Sequence, residues 1–301
     1  MREAVKTGGR TLRFDRRTLE DFAASLDLSP HSIASYKKCL AYFFKYLSSK
    51  GIDKPEERHI AAYREELMAS GRKANTVYGY LAAVRAFFRW AWGEGLYRDI
   101  SAKVSVPRAE QSPNRKTLTA LQLKKLMSSI DRESLQGMRD YAILALMLTT
   151  GLSALEISRI NAGDIDRSGE GGVLHVRGND GQKHETVGVP AYVMEVISKY
   201  LSARGEGGLE APLFVSVSNR NGDKNEHMSA GSIGRVAKNA LRGAGYDEER
   251  LSAQSLKVSA MKLALQGGER LEDVQKFARH RTIRTTFLYD QNSSPREMLR
   301  E

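Results

Sequence analysis

Residues 138–189 read MRDYAILALMLTTGLSALEISRINAGDIDRSGEGGVLHVRGNDGQKHETVGV, and a change of period inside this stretch decides the fold class. From Met138 to Thr150 the residues are strongly apolar, which predicts a helix closed by Gly151. A short helix is predicted next, over Leu155 to Ile160. The period then drops to two. Val173-Leu174-His175-Val176 and the run from Glu185 to Val189 read as two strands around the polar turn Gly178-Asn179-Asp180-Gly181. Helical spacing returns over Ala191 to Leu201, Ser229 to Leu241, Ala253 to Leu265 and Leu271 to Phe277, with a short strand predicted at Leu213 to Val217 and a last segment, Ile283 to Tyr289, before a polar tail. The fold class is therefore mainly α with one small β-hairpin (α+β).

The same reading extends towards the N-terminus. A helix is predicted over Leu121 to Ile130. Before it, Ser101 to Lys116 has no helical period, contains Pro107 and Pro113, and carries Lys103, Arg108, Arg115 and Lys116, so it reads as a basic linker. The first hundred residues read as a helical bundle. Leu19 to Leu26 is a short helix. Ser29-Pro30 caps a second, with Ile33, Tyr36, Leu40, Phe43, Phe44 and Leu47 at helical spacing and Gly51 as its stop. Glu56 to Ala69 is a third, with Ile60, Tyr63 and Leu67 on one face. A fourth carries Val77, Tyr80, Leu81, Val84, Phe87, Phe88 and Trp92. The aromatic stripe is expected to be core rather than a platform for stacking bases. The domains expected are an N-terminal helical bundle over 1–104, a linker over 105–117 and a second domain over 118–301, as a chain of 301 residues allows.

The formal charge is +11 with a pI near 9.6, a balance that suits polyanions, although charge alone does not separate a nucleic-acid binder from a merely basic protein. An anionic membrane is the weakest option, because no basic amphipathic helix with a bulky apolar face stands at a terminus. No apolar run approaches the roughly 20 residues that span a bilayer. No signal peptide is apparent in MREAVKTGGRTLRFDRR. The single cysteine, Cys39, excludes an intramolecular disulfide and fits a reducing cytoplasm, and it reads as filler in a helix rather than as a nucleophile. No metal or cofactor is expected.

Three boxes in the second half are specific when taken in order. They are Leu148-Thr-Thr-Gly-Leu-Ser-Ala-Leu-Glu156-Ile, Ala253-Gln254-Ser255-Leu256-Lys257, and Phe277-Ala-Arg-His280-Arg-Thr-Ile-Arg-Thr-Thr-Phe-Leu-Tyr289. They resemble the TGLR-x-x-E-L, H-x-L-R and LGH-x-x-x-x-T-x-x-Y boxes of tyrosine-type site-specific recombinases, the phage-type integrase family, and are similar to Xer-like recombinases in particular. The hairpin Val176-Arg-Gly-Asn179-Asp-Gly-Gln-Lys183 lies where that family carries a GKG-x-K turn. The resemblance runs over about residues 12 to 290. It implies a core-binding helical domain followed by a catalytic-type domain, closing on double-stranded DNA as a C-shaped clamp, with the linker around Arg108, Arg115 and Lys116 on the phosphate backbone. It also implies a homo-oligomer, a tetramer on two duplexes.

The family's reaction explains the residue types. A tyrosine attacks the phosphodiester and conserves the bond as a phosphotyrosyl link. Two arginines hold the non-bridging oxygens through bidentate, charge-assisted bonds. A lysine on the hairpin protonates the departing hydroxyl, and histidines place protons. By this resemblance Tyr289 is the nucleophile, His280 stands at the later histidine position, and Glu156 is the carboxylate that supports the first arginine. The remaining positions depart from the pattern. The first arginine falls on Ser153, the hairpin lysine on Asn179 or Asp180, the first histidine on Gln254 and the second arginine on Lys257. Lys183 lies four residues beyond Asn179 on the same hairpin as a substitute. Glu156, without its arginine, is expected to pair with a nearby lysine or stay solvated. Losing one preorganised donor typically costs about 100- to 1000-fold in rate. Weak or absent cleavage on an intact DNA-binding scaffold is therefore expected, and the alternative is a non-catalytic accessory or repressor paralogue.

Overall fold

A computed structural model describes residues 12–105, 116–167, 171–177, 184–205, 207–216 and 226–290, and the chain parts into two units at Ser112 and Pro113. The first unit contains α1 (Arg16–Ala24), α2 (Pro30–Ser49), α3 (Glu57–Ala69) and α4 (Ala74–Gly93). The Ser29 hydroxyl accepts from the Ser32 amide at 3.3 Å and Pro30 fills the first turn, so α2 begins where its residue types start a helix. Phe22, Phe43, Phe44, Phe87 and Phe88 lie buried against one another, with Phe22 and Phe87 edge to face at 5.6 Å and Phe44 and Phe87 at 5.2 Å. Rings interlocked in this way are core, and truncating one costs about 3–5 kcal/mol. One member of the expected stripe is elsewhere: Trp92 is 65% exposed. In the last turn of α4 the fully buried Ala91 takes the inward position, so the adjacent Trp92 faces solvent, while Trp90 packs on Phe22 at 5.5 Å and Phe87 at 5.7 Å. Val104 is buried in this unit's core, and residues 106–115, which include Arg108 and Arg115, lie outside the described residues.

The second unit is built around α6 (Leu135–Thr150), whose Ile143, Leu144, Leu146 and Met147 are almost fully buried, in line with its strongly apolar sequence. α5 (Ala120–Ser128) precedes it and α7 (Ala154–Ile157) follows. The sheet has three antiparallel strands in the order β1 (Ile165–Asp166), β2 (Gly172–Arg177) and β3 (His184–Val189). Val173 pairs with Gly188 and Val176 with Glu185, while Ile165 of β1 faces Leu174. Leu174 and Val176 point inward and His175 and Arg177 outward, the alternation that period two demands. The expected hairpin is present with a third, two-residue strand beside it. Over the described part of the strand expected at Leu213 to Val217, residues 213–216, no strand forms: Leu213 and Phe214 are buried, but only isolated bridges, Asn161 to Pro212 and Val215 to His227, occur there.

Five helices complete the unit: α8 (Ala191–Arg204), α9 (Ala230–Gly243), α10 (Ala253–Gln266), α11 (Leu271–Ala278) and α12 (Ile283–Phe287). α10 packs on α6, α9 and α11, and α11 packs on α12. Gly151 ends α6 with φ 63°, and its amide donates to the Met147 carbonyl at 3.2 Å. A Cβ there would stand 2.6 Å from the Phe277 carbonyl oxygen. Glycine is therefore required at 151 twice over, for the left-handed turn and for the close approach of α11's last turn to α6. No helix among the described residues is long and apolar enough to cross a membrane.

Candidate active site

Three turns converge at that approach. Ser153 caps α7 through a reciprocal box: its amide donates to Glu156 Oε2 at 2.7 Å, and its hydroxyl accepts from the Glu156 amide at 3.3 Å. The short side chain at 153 is thus a helix cap and reaches no further. Glu156 is only 2% exposed. A carboxylate buried this deeply needs a cation and hydrogen bonds, and the cation comes from a residue that sequence reasoning passed over.

Arg279 follows the last residue of α11 in the left-handed conformation, φ 51° and ψ 42°, the one non-glycine residue with positive φ among those described. Its Nε donates to Glu156 Oε1 at 2.7 Å and its Nη2 to Glu156 Oε2 at 3.1 Å. Nη2 also donates to the Gly151 carbonyl at 2.7 Å, and Nη1 to the carbonyls of Thr150 at 3.1 Å and Phe277 at 3.5 Å. All five N–H groups of the guanidinium therefore have acceptors inside the protein. Glu156 pairs with this arginine rather than with a lysine or with solvent. Burial alone would raise the Glu156 pKa, but the Arg279 bonds and charge, with the Ser153 amide, hold it below the usual carboxylate value. A signal for Arg279 was present: it occupies the middle position of the box that the resemblance writes LGH, and a glycine position taken by arginine asks what the arginine holds.

Gln254 and Lys257 share one face of α10, three residues apart. Lys257 is buried. Its pKa falls to about 8, first because burial penalises the ammonium and then because the Arg279 charge opposes it, with Glu156 pulling the other way. His280 follows Arg279. Its Nδ1 lies 2.9 Å from the buried Thr286 hydroxyl, and its backbone is tied to Gln275 in both directions, at 3.1 and 3.0 Å. Burial, then the charges of Lys257 and Arg279, lower the His280 pKa to about 4, so the imidazole is neutral at neutral pH. The Tyr289 ring lies parallel to the imidazole, centroids 6.1 Å apart. α12 ends at Phe287, and Tyr289 sits in the turn that follows, its amide on the Thr286 carbonyl at 2.9 Å.

Glu156, Lys257, Arg279, His280 and Tyr289 thus form one cluster, with Ser153 at its edge and Gln254 one turn of α10 away. Asn179, Asp180 and Lys183 lie outside the described residues. Lys116 is described and forms an ion pair with Glu248. The cluster offers a base held neutral, a phenol beside it and a buried ammonium, while its guanidinium is fully engaged. No group of three or more His, Cys, Asp or Glu among the described residues could hold a metal ion.

The low His280 pKa makes stability pH-dependent. The unfolded histidine binds its proton near pH 6.5, whereas the folded one does not until about 4. Between these values the unfolded chain carries more protons, so stability rises with pH across the window and is lost as pH falls through it. Urea unfolding midpoints should therefore drop from pH 6.5 towards 4. Glu156 adds its own loss only further into acid. His280→Gln, which can keep the Thr286 hydrogen bond, should flatten the drop, and an equally steep profile in that variant would assign it to other groups.

The chain matches the phage integrase family over residues 116–296 and the phage integrase N-terminal SAM-like domain over residues 19–95. It is 29% identical over 285 residues to the tyrosine recombinase XerC of Pelobacter propionicus, covering 90% of this chain and 88% of that one. It is 28% identical over 284 residues to the tyrosine recombinase XerA of Pyrococcus furiosus, covering 93% and 90%. In fold it is similar to the XerH site-specific recombinase in a post-cleavage complex with a palindromic difH substrate, with TM-score 0.70, 19% identity and coverage of 86% and 76%. It is also similar to a lambda integrase dimer bound to a COC' core site, with TM-score 0.69, 16% identity and coverage of 92% and 96%.

Proposed function

Since the chain belongs to the phage integrase family, we propose that it binds a double-stranded DNA site through the family's two-domain scaffold and cleaves that site weakly or not at all. The observation that carries this reading is the pairing around Glu156. Ser153 offers a cap in place of a guanidinium, and the guanidinium that is present, on Arg279, has every N–H turned inward. The transition state of phosphoryl transfer to tyrosine gathers charge on the non-bridging oxygens. Preorganised donors aimed at those oxygens supply most of the acceleration. Among the described residues of the cluster Lys257 is the other cation, a point charge without the two-pronged geometry of arginine.

In this reading Tyr289 is the inherited nucleophile and neutral His280 its neighbouring proton acceptor. Gln254 donates a hydrogen bond but cannot shuttle a proton near neutral pH, and Asn179 cannot act as general acid, with Lys183 the nearest amine on that hairpin. Residues 1–104 and 118–301 would close on the duplex from two sides, with Arg108, Arg115 and Lys116 of the linker on its phosphates. Lys116 would exchange Glu248 for a phosphate on binding. The XerH and lambda integrase structures, both on DNA, support a DNA partner. A homotetramer on two duplexes, acting in the cytoplasm, follows by family analogy. The substitutions equally suit an accessory or repressor role at the same site.

The test uses a duplex selected from a random library for binding and nicked so that a cleaved strand cannot be rejoined. The protein should retain the duplex and form little or no phosphotyrosyl adduct. An adduct formed in high yield and lost in Tyr289→Phe would overturn the inactive reading.

A further inference from the structure

We propose that Arg279 is a positioning residue that supplies, from the end of α11, the single guanidinium this site keeps on Glu156, and that by doing so it excludes an arginine from position 153. The inference deepens the reading above and rests on it only for the meaning of position 153.

The geometry argues for a dedicated role. A left-handed residue after a helix is normally glycine, because a Cβ there is disfavoured, yet arginine holds φ 51° at 279. What maintains it is the fork: two bonds to the two oxygens of Glu156, and three to the carbonyls of Thr150, Gly151 and Phe277. Those carbonyls belong to the end of α6 and the end of α11, the two turns that Gly151 allows to touch. Arg279 therefore joins α6, α7 and α11 at one point. Glu156 already accepts the Ser153 amide in addition to the fork. A second guanidinium arriving from position 153 would find both carboxylate oxygens occupied and a like charge beside it. Ser153 and Arg279 are in this sense one choice made at two positions.

The charge acts beyond the pair. Lys257 feels Arg279 against it and Glu156 for it, and His280, on the same turn as Arg279, feels both cations. Moving the guanidinium from 279 to 153 should keep this balance, whereas deleting it should not.

The experiment is a cycle in the full-length chain: the natural protein, Ser153→Arg, Arg279→Gly and the double variant. It reads the unfolding midpoint and the titration of the Lys257 amine by NMR, assigned with Lys257→Arg. Ser153→Arg alone should lower the unfolding midpoint. Arg279→Gly should also lower it and move the Lys257 titration up from about 8 towards the free lysine value of about 10.4. In the double variant both readings should return towards those of the natural chain. Arg279→Lys keeps the charge without the fork, so it should hold the Lys257 titration low while the unfolding midpoint falls, and Arg279→Asn, which tolerates the left-handed turn and removes the charge, serves as the deletion arm if Arg279→Gly does not fold. Additive losses in the double variant, a Lys257 titration indifferent to Arg279→Gly, or a lysine at 279 that matches arginine in both readings would each overturn the proposal. None of these readouts involves cleavage. A strong adduct from the natural chain would defeat the inactive reading and leave this one standing, and an additive cycle would do the reverse.

Discussion

Ser153→Arg, Asn179→Lys, Gln254→His and Lys257→Arg made together, with Arg279→Gly to clear the carboxylate, should give a covalent protein–DNA adduct through Tyr289 that the natural chain does not accumulate. The phenol and its neighbouring imidazole are already stacked 6.1 Å apart, so on the proposed reading what must be restored is charge on the phosphate and an acid for the leaving hydroxyl. Each restored donor is worth about 100- to 1000-fold, but groups that act together do not contribute additively. Single reversions should therefore do little. Ser153→Arg in particular should fail alone, because the carboxylate that would orient it is taken by Arg279 at 2.7 and 3.1 Å. Adduct yield on a nicked duplex, with Tyr289→Phe as the blank, is the measurement. If the fivefold variant binds DNA and forms no adduct, the assignment of these positions is wrong.

DNA affinity should fall steeply with salt. Each phosphate neutralised by Lys or Arg releases condensed counterions, giving a log–log slope near −0.9 per contact on duplex DNA. A +11 chain that makes six or more such contacts would lose about 1000-fold or more in affinity between 50 and 200 mM salt. Fluorescence anisotropy over that range reads it directly. An affinity that barely moves would mean that the positive charge does not face the duplex.

Much of the fold was legible because its signals are local. The apolar run before Gly151 announces a helix, and α6 is one, with Ile143, Leu144, Leu146 and Met147 at the centre of the core. The switch to alternation marks β2 and β3. What failed was decided by packing. β1 has two residues, too few to show a period, and exists because Ile165 finds Leu174. Residues 213–217 have strand-like composition, yet Leu213, Phe214 and Val215 are buried without a continuous neighbour strand among the described residues. Trp92 continues its stripe at helical spacing, but in that turn the inward position falls to Ala91, and only packing decides between the two. The site divides in the same way. His280 and Tyr289 could be located from their box, whereas the partner of Glu156 could not, because Arg279 is 123 residues away in sequence and only the closed fold brings the two together.

That separation also sets when the cluster can exist during folding. Closing a loop of this length carries an entropy cost that grows only as the logarithm of its size, but the cost must be met before any of the five guanidinium bonds forms. The helices of both units can gather locally and early. The Glu156–Arg279 junction, like the bond from the Leu118 amide to the Ser259 hydroxyl across 141 residues, is made of distant contacts. Such contacts slow folding and assemble late. A second unit stalled short of α11 would hold an almost complete α6 core and still leave Glu156 without its cation. The junction thus acts as a final latch, and its opening should be among the first events when the protein is destabilised.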